Sequence, residues 1–339
     1  MEKLPKIRLA EIILESSPTP FWNILKQIGV DEATGILPRW YQDHRQFKID
    51  DPWEYAPLSN YKRMIEEAGF KLTVIEDNPP MEKIIYGLPG KEEQLENVAK
   101  LIENMGKLKI PIWCYNWMGT NWIRTKTAIR GRGGALTSGF DEEDLRDAPP
   151  PKLGRIDKVT LWKNLRNFLE FILPIAEDAN VRLAIHPDDP PLDEVRGVGR
   201  IMNSVEAFDR LIEEFPSEYN GITLDHSIFS LITDDLISVV RHFLEKKRIF
   251  FVHFREVIGS KNRFEEVFID EGITRQFEEM REYIKHEFYG PFRVDHTPTL
   301  LGDTMQLSMP GYSMLGRIHA IGYIQGLFRA AAESLNYEK

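Results

Sequence analysis

Apolar residues along this chain gather into short runs, and many of the runs stop at a polar residue. Eight have the length of a strand: 7–13, 34–37, 72–76, 110–115, 182–187, 221–225, 249–254 and 291–295. Short apolar runs bounded by polar positions read as strands buried on both faces. Between most of them lies a segment with apolar residues at three- and four-residue spacing, as on one face of a helix. Such segments occupy 60–69, 92–106, 158–178, 204–215, 234–246 and 273–286. Asn203 is placed as the cap of the helix at 204, with Glu206 three positions on, a pattern that satisfies free amides at a helix start. Strand and helix alternating in this way predict an α/β fold, a (β/α)8 TIM barrel over residues 1–339 as one domain. Eight parallel strands joined by helices close on themselves and leave no open edge. A doubly wound open sheet is the competing architecture.

Two stretches break the rhythm. Residues 118–157 hold Arg130-Gly-Arg-Gly-Gly134 and Pro149-Pro-Pro151, and read as a long loop or lid after the fourth strand. Their glycines make no nucleotide fingerprint, since no strand leads into them at the required spacing. A second excursion runs from Thr297 to Ser313 after the last strand.

Composition narrows the partners. No apolar run approaches 18 residues, so no membrane span is expected. A formal charge of −10 argues against nucleic acid or an anionic membrane as partner. A small anionic substrate stays open, because a metal and a few local arginines overrule global charge. The one cysteine, Cys114, excludes an internal disulfide and fits a reducing compartment. With no export pattern in Met-Glu-Lys-Leu-Pro-Lys, the expectation is a cytoplasmic protein. No single exposed apolar stripe decides whether copies of the chain form a homo-oligomer.

Four strand ends carry the candidate chemistry: Arg182-Leu-Ala-Ile-His186, Gly221-Ile-Thr-Leu-Asp225, Ile249-Phe-Phe-Val-His253 and Phe292-Arg-Val-Asp295. In a parallel barrel all strand ends face one way, and active sites are built there. His186, Asp225, His253 and Asp295 would then converge as two imidazoles and two carboxylates. That set suits Mn²⁺ or Fe²⁺ before Ca²⁺ or a structural Zn²⁺. Asp188 lies in His186-Pro-Asp-Asp-Pro-Pro191, where prolines fix an extended loop and the carboxylates can meet substrate hydroxyls. Arg255 can clamp a carboxylate in bidentate fashion, or pair with a barrel carboxylate. His226 and His296 each follow a proposed ligand and read as substrate contacts or outer supports, and Asp270 as a further support.

These segments resemble the mannonate dehydratase family, within the wider xylose-isomerase-like barrels. The matching pieces are Trp113-Cys-Tyr-Asn-Trp-Met118 with Asn121-Trp-Ile-Arg-Thr125, Ala184-Ile-His-Pro-Asp-Asp-Pro-Pro191, His253-Phe-Arg255, Val294-Asp-His296, Pro310-Gly-Tyr-Ser313 and Gly316-Arg317. The resemblance implies a metal-dependent hydro-lyase of hexuronate catabolism that converts D-mannonate to 2-keto-3-deoxy-D-gluconate. It implies Mn²⁺ as the metal, with Fe²⁺, Mg²⁺ or Co²⁺ as substitutes. The family's ligands are two histidines, a cysteine and an aspartate, which fall on His186, His253, Asp225 and Asp295; the cysteine is the one that becomes Asp225. An oxygen donor there favours Mn²⁺ or Mg²⁺ over softer ions. Tyr312 and Asp295 are the implied acid and base, in an order left open, although Tyr312 would also serve to pack its loop on the rim. Asn116, Arg124 and Arg255 are implied substrate contacts. Two other readings compete: a metal-dependent sugar isomerase or epimerase on the same barrel, favoured by Asp225, and a non-catalytic sugar-acid binder.

Overall fold

The computed structural model describes residues 2–3, 6–41, 50–303 and 311–338. Eight strands form one parallel sheet in chain order: β1 (Ala10–Ile13), β2 (Glu32–Gly35), β3 (Lys71–Glu76), β4 (Ile112–Tyr115), β5 (Arg182–Ile185), β6 (Asn220–Asp225), β7 (Ile249–His253) and β8 (Phe292–Arg293). A parallel bridge between Leu9 and Phe292, with the Phe292 amide donating to the Arg8 carbonyl at 2.8 Å, brings β8 back to β1. The sheet is therefore a barrel, as the alternation of apolar runs predicts, and the open doubly wound sheet is set aside.

Helices follow the strands: α1 (Pro20–Gln27), α2 (Tyr55–Glu67), α3 (Lys91–Lys107), α4 (Lys158–Ala179), α5 (Val205–Glu214), α6 (Leu236–Glu245), α7 (Gln276–Lys285) and α8 (Met314–Ser334). In α3, Gln94, Val98, Leu101, Ile102 and Met105 are buried, a three-and-four spacing that turns one stripe to the barrel. Helix α4 starts where the Asp157 carboxylate accepts from the Thr160 amide at 2.7 Å and stops at Asn180, whose φ of 56° ends the helical path. The cap of α5 is Ser204, which accepts from the Ala207 amide, and not Asn203, whose side-chain amide donates to the Leu192 carbonyl. Helices α1 and α8 lie outside the periodic segments read from sequence. In α8 the buried face mixes small residues, Gly316, Ala320, Ala331 and Ala332, with Arg317, Ile321, Ile324 and Phe328, so apolar contrast along it is weak.

The barrel interior is filled by Val74, Ile112, Cys114, Ala184, Phe250 and Phe251, below the strand ends. The larger core lies between strands and helices. Segment 118–157 is not a structureless loop. Lys126–Arg130 and Leu136–Asp141 pair antiparallel, and they continue into Arg263–Glu266 and Val257–Ser260 from the loop after β7. This four-stranded roof is tied to the segment after β8 by two backbone hydrogen bonds between Leu136 and Thr299, at 2.9 and 2.8 Å. Residues 304–310 of the second excursion, Pro310 among them, lie outside the described residues. Among the described residues no helix is long and apolar enough to cross a membrane.

Candidate metal centre

In the parallel pairing of β6 with β7, Asp225 stands directly beside His253, so both side chains leave the sheet on the same side, toward the barrel axis. His186 enters from the end of β5 and Asp295 from just beyond β8. His186 Nε2 is 3.1 Å from His253 Nδ1, and Asp225 Oδ2 lies 3.5 and 3.6 Å from these two nitrogens. Asp295 Oδ2 is 3.7 Å from His253 Nδ1. Bonds of about 2.0–2.2 Å set tetrahedrally around one ion place donors about 3.3–3.6 Å apart. The spacing and the chemistry of His186, Asp225 and His253 therefore fit a divalent cation, with Asp295 to one side, beside His253.

Each donor is held from behind. His186 Nδ1 meets the Pro187 carbonyl at 2.8 Å, which puts the N–H there and leaves the Nε2 lone pair free. Asp225 Oδ1 accepts from the Ile228 amide at 3.1 Å and the Ser227 hydroxyl at 2.6 Å, capping the short helix His226–Ser230, and its inward Oδ2 accepts from Arg255 at 2.8 and 3.0 Å. Asp295 Oδ1 accepts from Arg293 at 2.7 and 2.9 Å and from the Tyr312 hydroxyl at 3.2 Å, while Oδ2 faces Arg255 Nε at 2.8 Å. Burial alone would raise both carboxyl groups, but Arg255 beside Asp225, and His296, Arg293 and Arg255 beside Asp295, hold them well below the usual range. Burial also works against a charged His253, yet Glu76 and Asp295 overrule it and push its pKa up to about 9.

A cavity of about 920 Å³ opens above the donors. Its lining includes Glu76, Asn116, Trp122, His186, Asp189, His253, Arg255, Asp295, His296 and Tyr312. The Asn116 backbone is pinned through its carbonyl, which accepts from the Asn78 side-chain amide at 2.9 Å. His296 directs Nδ1 to Glu266, at hydrogen-bond contact, and its ring lies edge-on to Tyr312 and to Trp122, centroids 5.2 and 5.3 Å apart. Gly311, at φ 93°, lets the Tyr312 segment close on this ring: a Cβ there would come within 2.9 Å of His296 Cγ. The Tyr312 pKa is raised by burial and then by the Asp295 charge, so its hydroxyl keeps its proton at neutral pH.

A family model of D-mannonate dehydratase matches residues 23–155 and 152–338. The mannonate dehydratase of Streptococcus pneumoniae is 30% identical over 312 residues, 83% of this chain and 84% of the relative. That of Brachyspira hyodysenteriae is 30% identical over 343 residues, 90% and 94% of the two chains. This chain belongs to the D-mannonate dehydratase family. The crystal structure of the mannonate dehydratase from Streptococcus suis superposes with a TM-score of 0.86 at 28% identity, covering 98% of this chain and 97% of the other. An L-ribulose 3-epimerase superposes at 0.60 with 14% identity, a likeness of fold.

Against this dehydratase frame, several residues singled out from sequence sit away from the cavity. His226, next to Asp225, faces outward: Nδ1 meets Glu279 and Nε2 meets Tyr283, both at 2.9 Å. Asp188 is buried against Arg200 at 3.2 Å and the Met202 amide at 2.7 Å; its neighbour Asp189 lines the cavity instead. Arg124 is buried between Asp189, at 2.6 and 2.8 Å, and Glu266, at 2.7 Å. Asp270 pairs with Arg132 at 2.8 Å near the surface and does not line the cavity. Glu76, Glu266 and Arg293 were not singled out from the sequence, whereas Asp189 belongs to the carboxylate pair that was. Glu76 ends an apolar run just as the four donors do, so its signal was present.

Proposed function

We propose that this chain dehydrates D-mannonate to 2-keto-3-deoxy-D-gluconate with a divalent ion held by His186, Asp225, His253 and Asp295. The observation that carries the reading is the convergence of these four donors beside a protonated Tyr312 and an anchored His296 in a chain of this family. Two imidazoles and two carboxylate oxygens, with no thiolate among them, favour Mn²⁺ over softer ions. When bound, the ion supplies positive charge against the negative charge that develops on the substrate carboxylate as the C2 proton leaves.

The protein's own groups divide the proton work. His296 has Nδ1 committed to Glu266, which leaves Nε2 to take the C2 proton, the arrangement of a base held by a third group. Tyr312 donates its proton to the hydroxyl leaving C3, and its hydroxyl is aimed by Asp295 and by Arg293 Nη2 at 3.1 Å. Water departs, and the resulting enol becomes the 2-keto product. Asp295, with both oxygens engaged, serves in this scheme as ligand and as the anchor of Tyr312. Asn116 lines the cavity as a contact for substrate oxygens, while Arg124 acts through Asp189 and Glu266, and Arg255, buried and paired with Asp189, Asp225, Glu266 and Asp295, acts through those carboxylates.

Metal-stripped protein reloaded with Mn²⁺ is expected to form a 2-keto-3-deoxy acid from D-mannonate. Tyr312→Phe lowers kcat by about 10²–10⁴. Absence of product from folded, loaded enzyme would overturn D-mannonate as substrate.

A further inference from the structure

Strand β3 ends at Glu76, whose side chain lies on the opposite side of the His253 ring from the donors. Glu76 Oε2 is 3.2 Å from His253 Nε2, and Oε1 accepts from Arg293 Nη1 at 3.3 Å. A neutral imidazole carries one N–H and one lone pair. A carboxylate at Nε2 takes the N–H there and leaves the lone pair at Nδ1, the nitrogen that faces His186, Asp225 and Asp295. We propose that Glu76 is a positioning residue that fixes His253 as an Nδ1 donor to the metal, with Arg293 joining Glu76 and Asp295 into one frame. The inference rests on the reading of the four donors as a metal site. His186 receives the equivalent support at its other nitrogen from the Pro187 carbonyl, so the two histidines offer opposite ring nitrogens. Carboxylate support of this kind raises the basicity of a ligating imidazole and fixes its orientation.

Cys114 offers a rival arrangement, since its Sγ, Glu76 and His253 have donor atoms within 4.8 Å of one another. Its surroundings are those of a packing residue: it is buried among Val74, Ile112, Ala184 and Phe251 and accepts from the Thr223 hydroxyl at 3.1 Å.

Calorimetric titration of Mn²⁺ into metal-stripped wild type, Glu76→Ala, Glu76→Gln and Cys114→Ala separates the two, with a cooperative melt certifying each fold. One ion per chain is expected. Glu76→Ala weakens binding about 10–100-fold, and Glu76→Gln, whose amide oxygen still accepts, weakens it less. Cys114→Ala leaves the affinity unchanged. A folded Glu76→Ala protein that binds within about two-fold of wild type overturns the proposal. So does a second ion lost in both the Glu76→Ala and Cys114→Ala proteins. If Glu76→Ala does not fold, Glu76→Leu, which keeps the bulk and offers no acceptor, takes its place, and binding within about two-fold of wild type there overturns the proposal. Wild type that takes up no Mn²⁺ overturns the metal reading itself, before any variant is compared.

Discussion

His253 concentrates the electrostatics of the site in one ring. In the metal-free protein its pKa of about 9 lies above the ordinary value of 6.5, so the fold favours the imidazolium. A group whose folded pKa is raised contributes stability in full below the unfolded value and loses it as pH rises through the folded one. The melting temperature of metal-stripped protein is therefore expected to fall between about pH 6.5 and 9, and His253→Gln to remove that dependence. If His253 ligates the ion as proposed, bound Mn²⁺ is expected to reverse the sign, because a ligating ring must be neutral and uptake then releases a proton. Parallel melting curves with and without Mn²⁺ check both; a flat metal-free profile would contradict the assignment. At this scale the sequence was informative wherever a strand persisted to its last residue. Asp225 is the last residue of β6 and keeps the strand's inward direction, whereas His226 opens a short helix that carries its ring to Glu279 and Tyr283. Asp295 and His296 both reach the cavity because β8 has already ended at Arg293, and beyond it alternation no longer applies.

The roof sheet is the element that pattern reading misjudged. Its strands mix buried and exposed positions without a continuous apolar run, and two of them come from a loop more than a hundred residues downstream, so no local periodicity announces them. Its product is Glu266, whose carboxylate meets Arg124, Arg255, His296 and Ser138 at once. Burial would raise this carboxyl, but the neighbouring Arg124, His296 and Arg255 keep it far below its ordinary value. Removing one partner of a buried charged group leaves the others uncompensated, at a cost of about 3–5 kcal/mol. Glu266→Ala is expected to lose about that much in urea unfolding, and a loss below about 1 kcal/mol would show that water replaces the carboxylate freely. The barrel helices that were legible, such as α3, present a clear apolar stripe. Helix α8 buries small residues and Arg317 alongside Ile321, Ile324 and Phe328, a mixed face that stands out less along the chain.

For the molecule as a whole, the barrel was readable because each strand is buried on both faces and so stands out as an apolar run. His186, Asp225, His253 and Asp295 drew notice because barrel sites gather at the ends of such runs, and the structure brings their side chains to one end of the barrel. What joins the donors to one another, namely Arg293, Glu266 and Asp189, depends on contacts between distant segments and leaves no pattern in the chain. The roof carries a further consequence, for the order in which this protein assembles. Barrel strands pair with their sequence neighbours, whereas the pairing of Arg263 with Asp141 and of Glu265 with Gly139 spans two connections separated by three intervening strands. Contacts that close long loops cost chain entropy before they return any stabilisation, and they form late. Pulse-labelled hydrogen exchange during refolding should find the amides of Leu136–Asp141 protected after those of β4 and β5, and simultaneous protection would refute this order. The polypeptide then has a scaffold before it has a catalyst, and His296 acquires its Glu266 partner only in the last stage of folding.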